Sequence, residues 1–422
     1  MASADLRQEP PTAQYRLSDV PRFAVLSHVL PPFGLSQGVI LDRLLAGFRP
    51  ADFCLLSRQD YPRAFREAER DHSRQPHAVL AGRYHFVGEG WRRAASGRGL
   101  PRAGLAAAEV PVQIALRAGR ILRVLRKERS RVLVVCSGDL VDLPAGFIAT
   151  KAAGVPLLAY MFDDYKNQHY SPVEREVAGV LERMSLRGAR TVLVPNEFAA
   201  DTYAARYDLA PRIVRNMVDE AHLAMDPQAV WPRAVGELRI LYTGGIYRTQ
   251  PDSFVRMMDA LASWDRPERL RLHIYSAQTS AQIAASGIPP GAMVHQQAAG
   301  SEMPSVLRQA DILFLPLAFS SGIPEVIRTS APGKLGEYLA SGVPILAHAP
   351  RDSFLTWYIR KHNCGVVCDS PDAADLQRSL ALLIDDGELR RAVTTNAVAR
   401  ARRDFNAEDA RASFAQALGE LV

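Results

Sequence analysis

In the stretch 328–348, RTSAPGKLGEYLASGVPILAH, a lysine and a glutamate stand three residues apart behind a run of small residues. At about 100° per residue, Leu335, Tyr338 and Leu339 share one helix face, and Lys334 and Glu337 lie together on the opposite one. Pro332 suits a first helical turn and Gly342 a position just past the last, so the spacing predicts a helix over 332–342 and a strand over 343–347. The small residues Ser330, Ala331 and Gly333 would leave the N–H groups of that helix start open to an anion. A diphosphate there, beside Lys334, with Glu337 accepting hydrogen bonds from a ribose diol, makes a coherent nucleotide site. An ordinary surface Lys–Glu pair would show the same spacing.

Further polar positions fall at the ends of apolar runs. The run 238–243 stops at Gly244 and Gly245, with Arg248 close behind. Two glycines let a phosphate approach the backbone, and an arginine supplies charge-assisted hydrogen bonds. The run 270–276 ends at Ser276, and 292–296 ends at His295, Gln296 and Gln297. Earlier, a strand over 23–27, a Gly/Pro-rich loop over 28–38 and a helix over 39–45 open a Rossmann-like unit without the G-x-G-x-x-G fingerprint. Gly34, Ser36, Gln37 and Gly38 lie in that loop.

Strands are expected over 52–57, 131–136 and 155–162. The last stops at Asp163 and Asp164, at the edge where parallel sheets keep their ligands. Neighbours on an extended chain point to opposite sides, so at most one of the two faces a cleft comfortably. A helix over 111–131 sets Ile114, Ala118, Ile121, Leu122 and Leu125 on one face, with seven basic residues elsewhere, among them Arg117, Arg120, Arg123, Arg126 and Lys127. That back is read as solvated, or as a surface for anionic lipid heads.

The motif at 332–344 resembles the donor-binding segment of the GT-B glycosyltransferases, in the large retaining family often reading P-S/G-K-x-x-E-Y-x-A-x-G-x-P. Pro332, Gly333, Lys334, Glu337, Tyr338, Ala340, Gly342 and Pro344 all fall in place. The resemblance implies that Glu337 holds the ribose and that Arg248 and Lys334 reach the phosphates. It also implies that Gly244 and Gly245 admit the phosphates, that Ser276 is among the donor-binding residues, that Gln296 lies where the base is held, and that Gly34, Ser36, Gln37 and Gly38 form a cleft loop. Asp163 would face the acceptor. A second family glutamate, eight residues before Glu337, is replaced by Thr329, and Glu325 is out of register.

Composition is that of a soluble protein: 422 residues, 48% hydrophobic and 23% charged. No apolar run approaches the ~18 residues of a membrane span. Cys54, Cys136, Cys364 and Cys368 lack histidine partners at metal spacing and read as thiols of a cytoplasmic chain. Residues 1–219 carry 31 Lys/Arg against 23 Asp/Glu, and the remainder 20 against 22. The basic first half suits an anionic membrane surface or a phosphorylated acceptor. Nucleic acid is set aside, because no zinc pattern, aromatic RNA signature or helix-turn-helix is present.

The expected architecture is α/β, with two Rossmann-like domains facing across a cleft. An arm, 1–21, precedes an acceptor domain, 22–219; a linker, 220–236, leads to a donor domain, 237–400; and a helix in 401–422 returns to the first domain. No role is assigned to 58–110. The activity implied is transfer of a sugar from a nucleotide-sugar to a lipid-linked or small-molecule acceptor, with retention and without metal or other cofactor. An epimerase of the same fold and a non-catalytic binding protein are the alternatives.

Overall fold

Short runs, most of them buried and aliphatic, build two parallel sheets in a computed structural model that describes residues 20–31, 36–61, 63, 83–88, 102–223, 237–247 and 249–422. The expected arm 1–21 and linker 220–236 therefore lie mostly outside the described residues, as do Gly34 and Arg248. The chain forms two compact units. One comprises the described residues up to Tyr160, with Leu181–Leu193 and Glu408–Val422; the other comprises Met161–Val180 and Val194–Ala407.

The first sheet contains β1 (Phe23–Leu26), β2 (Phe53–Ser57), β3 (Arg83–Phe86), β4 (Val132–Cys136), β5 (Leu157–Tyr160) and β6 (Thr191–Val194). Their order is β3-β2-β1-β4-β5-β6, with the two-residue β7 (Arg212–Ile213) last. β3 lies in the stretch left unassigned from sequence. Its mixed RYHF residues are only partly buried, so no apolar run announces it. The closing helix, Ala407–Gly419, belongs to this unit: Phe414 meets Phe23 and Phe48 edge-on, each at 5.9 Å. Arg411 donates from Nε to the Arg43 carbonyl at 2.9 Å.

The basic helix departs from expectation in two ways. It runs from Arg102 to Glu128 and carries Pro111 inside it. Proline costs one backbone hydrogen bond there, but the GLAAAEV run ahead of it favours helix enough to extend the element. The second correction concerns Arg117, expected on the solvated face. It is buried, donating from Nη1 to Asp139 at 2.8 Å and to Asp142 at 2.7 Å. Ile114, Ala118, Ile121 and Leu125 are buried, as the periodicity predicts.

The second sheet holds β8 (Leu238–Thr243), β9 (Leu270–Ser276), β10 (Met293–Gln296), β11 (Ile312–Pro316), β12 (Ile345–His348) and β13 (Val366–Cys368). Its order, β10-β9-β8-β11-β12-β13, reverses direction between β8 and β11. Ligands of open α/β sheets bind at the carboxyl ends of the strands at such a switch point. β8 ends there at Gly244, whose φ of 99° a side chain would strain.

The helix expected over 332–342 is shorter, Leu335–Ala340, and a separate short helix, Pro324–Thr329, precedes it. Residues before a proline avoid helical angles, so Ala331–Pro332 parts them. Pro332 instead accepts from the Leu335 N–H at 2.9 Å and opens a turn. Gly342, at φ 70°, ends the second helix as predicted. Leu335, Tyr338 and Leu339 are buried in one cluster with Leu313, Leu315 and Ile345, while Lys334 and Glu337 remain partly exposed.

Candidate functional site

Two tyrosines join the Lys334 segment to the end of β8. Tyr338 accepts at its phenol oxygen from the Thr243 N–H, 2.9 Å away, and its hydroxyl lies 3.2 Å from Thr243 Oγ1. Tyr242 accepts from Lys334 Nζ at 3.0 Å and donates to the Gly245 carbonyl at 2.8 Å. The Lys334 ammonium also sits over the Tyr242 ring, 4.3 Å from its centre. A methyl group built on Gly244 would lie 3.6 Å from Lys334 Cε and Nζ, so the turn and the cation border one space.

Surrounding protein withholds water from Lys334 and lowers its pKa; nearby Tyr338 and Glu337 oppose that shift. An anion beside the ammonium would restore what burial removes. Gly245 lies under the Tyr247 ring, with Cζ and Oη both 2.7 Å from where a β-carbon would stand.

The other predicted donor-side residues border the same strand ends. Ser276 closes β9 and accepts at Oγ from the Gln278 N–H at 3.1 Å. Gln278 in turn braces the glycine turn, accepting from the Ile246 N–H at 2.7 Å and donating to the Ile246 carbonyl at 3.2 Å. Gln296 ends β10, exposed and in register with Ser276. Gly333 lies in the turn before the Leu335–Ala340 helix.

A second group forms around Asp163. Asp164 is buried and receives both Arg206 nitrogens, at 2.9 and 2.7 Å, and Asn167 Nδ2 at 2.8 Å. Burial opposes its ionisation, but the Arg206 hydrogen bonds prevail and hold its pKa below the ordinary value. Asp163 is open to solvent yet ringed by protein. Loss of water and then the charge of Asp164 raise its pKa. Of the two carboxylates, Asp163 is the exposed one and Asp164 the buried, arginine-paired one.

Thr329 lines a small recess with Asp163, Asp164, Ala199, Thr202 and Tyr203. Its hydroxyl donates to the Glu325 carbonyl at 3.1 Å, so the side chain is turned to its own helix. Asn196 donates to the Thr329 carbonyl at 2.8 Å, and Asn216 to the Ala331 carbonyl at 3.0 Å. These two amides fix the stretch leading to Lys334. Neither asparagine stands out in the sequence as part of the site, because each acts on a carbonyl more than a hundred residues away.

Of the first loop, Gln37 donates from Nε2 to Ser27 Oγ at 3.0 Å. Ser36 opens the helix Ser36–Leu45, in which Gly38 is buried. These residues lie in the first unit. The four cysteines are buried free thiols. Among the described residues, no group of three or more His, Cys, Asp or Glu is placed to hold a metal ion.

Residues 240–400 match the family model described as glycosyl transferases group 1. The whole chain has the fold of known GT-B structures. HepE (Alr3699) of Anabaena, solved with UDP and glucose, is 15% identical, with a TM-score of 0.64 over 95% of this chain and 100% of that one. Sucrose-phosphate synthase of Thermosynechococcus elongatus is 14% identical, TM-score 0.66, over 94% and 98%. An α,α-trehalose-phosphate synthase (UDP-forming) of Burkholderia vietnamiensis is 11% identical, TM-score 0.63, over 95% and 99%. No curated protein matches the sequence. The group 1 match and the shared fold support a glycosyltransferase, as the motif at 332–344 implied.

Proposed function

We propose that this GT-B glycosyltransferase binds a UDP-sugar or closely related donor at the carboxyl end of β8 and transfers its sugar, with retention, to an acceptor near Asp163. The observation that carries the reading is Lys334, held over Tyr242 and against the Gly244 turn. Sugar transfer expels a nucleoside diphosphate, and charge gathers on it as the glycosidic bond breaks. A fixed cation next to backbone open enough for phosphate favours that charge in the transition state. Lys334, helped by Arg248, would do this in place of a metal. Glu337, on the polar side of the same helix, would accept from the ribose diol, and Ser276 and Gln296 would border the base. The UDP preference is supported by neighbours solved with UDP.

The acceptor side is proposed to meet an anionic membrane. Along the Arg102–Glu128 helix, Val112 and Leu116 are 55% and 44% exposed, and Arg123 and Lys127 continue the same stripe. Among the described residues no helix is long and apolar enough to cross a membrane.

Release of UDP from a panel of UDP-sugars, measured with and without candidate acceptors, tests the reaction class. Acceptor-dependent release supports transfer. Conversion of the donor sugar to its epimer without acceptor would replace it with the epimerase reading, and binding without turnover would replace it with a non-catalytic one.

A further inference from the structure

We infer that the Pro172–Arg187 helix docks against the same helix of a second copy of this chain, the two packing antiparallel about a two-fold axis. The inference is independent of the sugar-transfer reading. The helix is turned unusually: Ala178, Glu182 and Ser185 are buried, while Val173, Val180 and Met184, on the opposite side, are 64%, 70% and 40% exposed. Val177, half-buried, completes the outward stripe. A helix on a protein surface ordinarily does the reverse, with its apolar side in and its carboxylates out. All these positions stand on one unbroken helix, so its own backbone fixes their spacing.

Val173, Val177, Val180 and Met184 follow one another at steps of four, three and four residues. That is the apolar repeat of a helix that packs lengthwise along another, and here it covers about 17 Å. In an antiparallel pair, Val173 meets the partner's Met184, and Val177 meets the partner's Val180. The two-fold axis repeats both contacts, so one stripe closes on its own copy in four apolar layers.

The charges beside the stripe complement one another in the same register. Glu176 and Arg183 flank it on one side, and both are exposed. Antiparallel pairing sets Glu176 beside the partner's Arg183 and Arg183 beside the partner's Glu176. A parallel pair would set Glu176 beside the partner's Leu181 and Arg183 beside the partner's Gly188, and both ion pairs would be lost. Antiparallel helices also oppose their dipoles. The apolar layers supply the affinity, and the exposed ion pairs chiefly fix the register. A lipid surface suits this face poorly, because Glu174 and Glu176 border the stripe where membrane-lying helices carry Lys and Arg.

Sedimentation equilibrium of the full chain over about 1–100 μM, a range suited to a small interface, tests the pairing. We expect a monomer–dimer equilibrium. Val180→Glu should weaken it tenfold or more and leave the melting temperature of the dilute monomer unchanged, since Val180 is mostly exposed within one copy. Glu176→Arg and Arg183→Glu should each weaken association severalfold at low salt. The double variant should regain it, an exchange that only facing residues permit. A monomer at the highest concentration, a dimer that Val180→Glu leaves intact, or a double variant no better than the singles would overturn the inference. So would a monomer that binds phosphatidylcholine vesicles and loses them in Val180→Glu, a result that would give the face to lipid.

Discussion

Lys334 and Tyr242 are coupled twice, by a 3.0 Å hydrogen bond from Nζ to the phenol oxygen and by the ammonium lying 4.3 Å from the ring centre. The phenol passes the contact on to the Gly245 carbonyl. The cation is thus fixed to the glycine turn before any ligand arrives.

Lys334→Met should weaken a nucleoside diphosphate roughly ten- to a hundredfold, in line with about 1.5–3 kcal/mol for a charged hydrogen bond. The matching nucleoside should be little affected. Stability should hold or rise. The folded protein holds this proton less readily than the unfolded chain, so the charged form costs stability below the folded pKa, and the cost fades as pH rises through it. Arg248→Ala should show the same phosphate-selective loss. Titration calorimetry decides; equal losses for nucleoside and diphosphate would remove both residues from the site.

Glu337→Ala should cost a comparable factor in UDP affinity with no fall in melting temperature, because its side chain is outside the core cluster that holds Tyr338 and Leu339. The discriminating ligand is the 2′,3′-dideoxy nucleotide, to which wild type and variant should bind alike. A variant that still prefers the ribose diol as strongly as wild type does would refute the role.

How far these residues were legible depends on the range of the interactions that place them. Lys334, Glu337 and their buried neighbours follow from helical periodicity, a local property of the chain. The pinning of Thr243 by Tyr338 spans 95 residues and leaves no local trace. Arg117 misled for a related reason: a basic residue in a basic helix reads as solvated, and only Asp139 and Asp142, more than twenty residues on, explain its burial. The helix break at Ala331–Pro332 was signalled by proline, but Pro332 was read as a start inside the helix when it lies in the turn before it. β3, half-buried and polar, carried no hydrophobic pattern.

Asp163 and Asp164 should separate function from stability. Asp164→Asn breaks a buried pair with Arg206 and should destabilise by about 3–5 kcal/mol. With its folded pKa depressed, Asp164 contributes stability above its ordinary carboxylate pKa, lost as pH falls through the lower folded value, so the variant should also flatten the acid limb of unfolding. Asp163→Asn should melt near wild type and lose acceptor-dependent turnover. Matching melting curves for the two variants would contradict the assignment.

At Gly336 the packing of this chain leaves no room for a side chain between Leu335 and Glu337. A β-carbon there would come within 2.6 Å of Val218 Cγ1 and 2.9 Å of Phe405 Cδ1, both buried. Overpacking of this kind costs about 1–3 kcal/mol, more than the ~1 kcal/mol that alanine gains over glycine within a helix. Gly336→Ala should therefore lower the thermal midpoint, and a midpoint at or above wild type would show that the helix can shift freely.

The stripe on the Arg102–Glu128 helix predicts a lipid dependence with two separable parts. Arg123 and Lys127 supply charge, each worth about 1 kcal/mol near an anionic surface and screened over ~10 Å at 0.1 M salt. Val112 and Leu116 supply apolar contact that salt does not screen. Wild-type protein should sediment with phosphatidylserine-containing vesicles at low salt, release as salt rises, and ignore phosphatidylcholine vesicles. Reversing both charges, Arg123→Glu with Lys127→Glu, should cut binding at least tenfold at low salt. Leu116→Asp should weaken it by a factor that depends less on salt, because burying a leucine is worth about 1.5–3 kcal/mol whatever the ionic strength. Arg120 is a poor probe, since it already donates to the Val87 and Gly88 carbonyls and its loss would disturb the fold. Indifference of the wild type to vesicle charge at low salt would mean that the arginines only solubilise this unit and that the acceptor reaches Asp163 from solution.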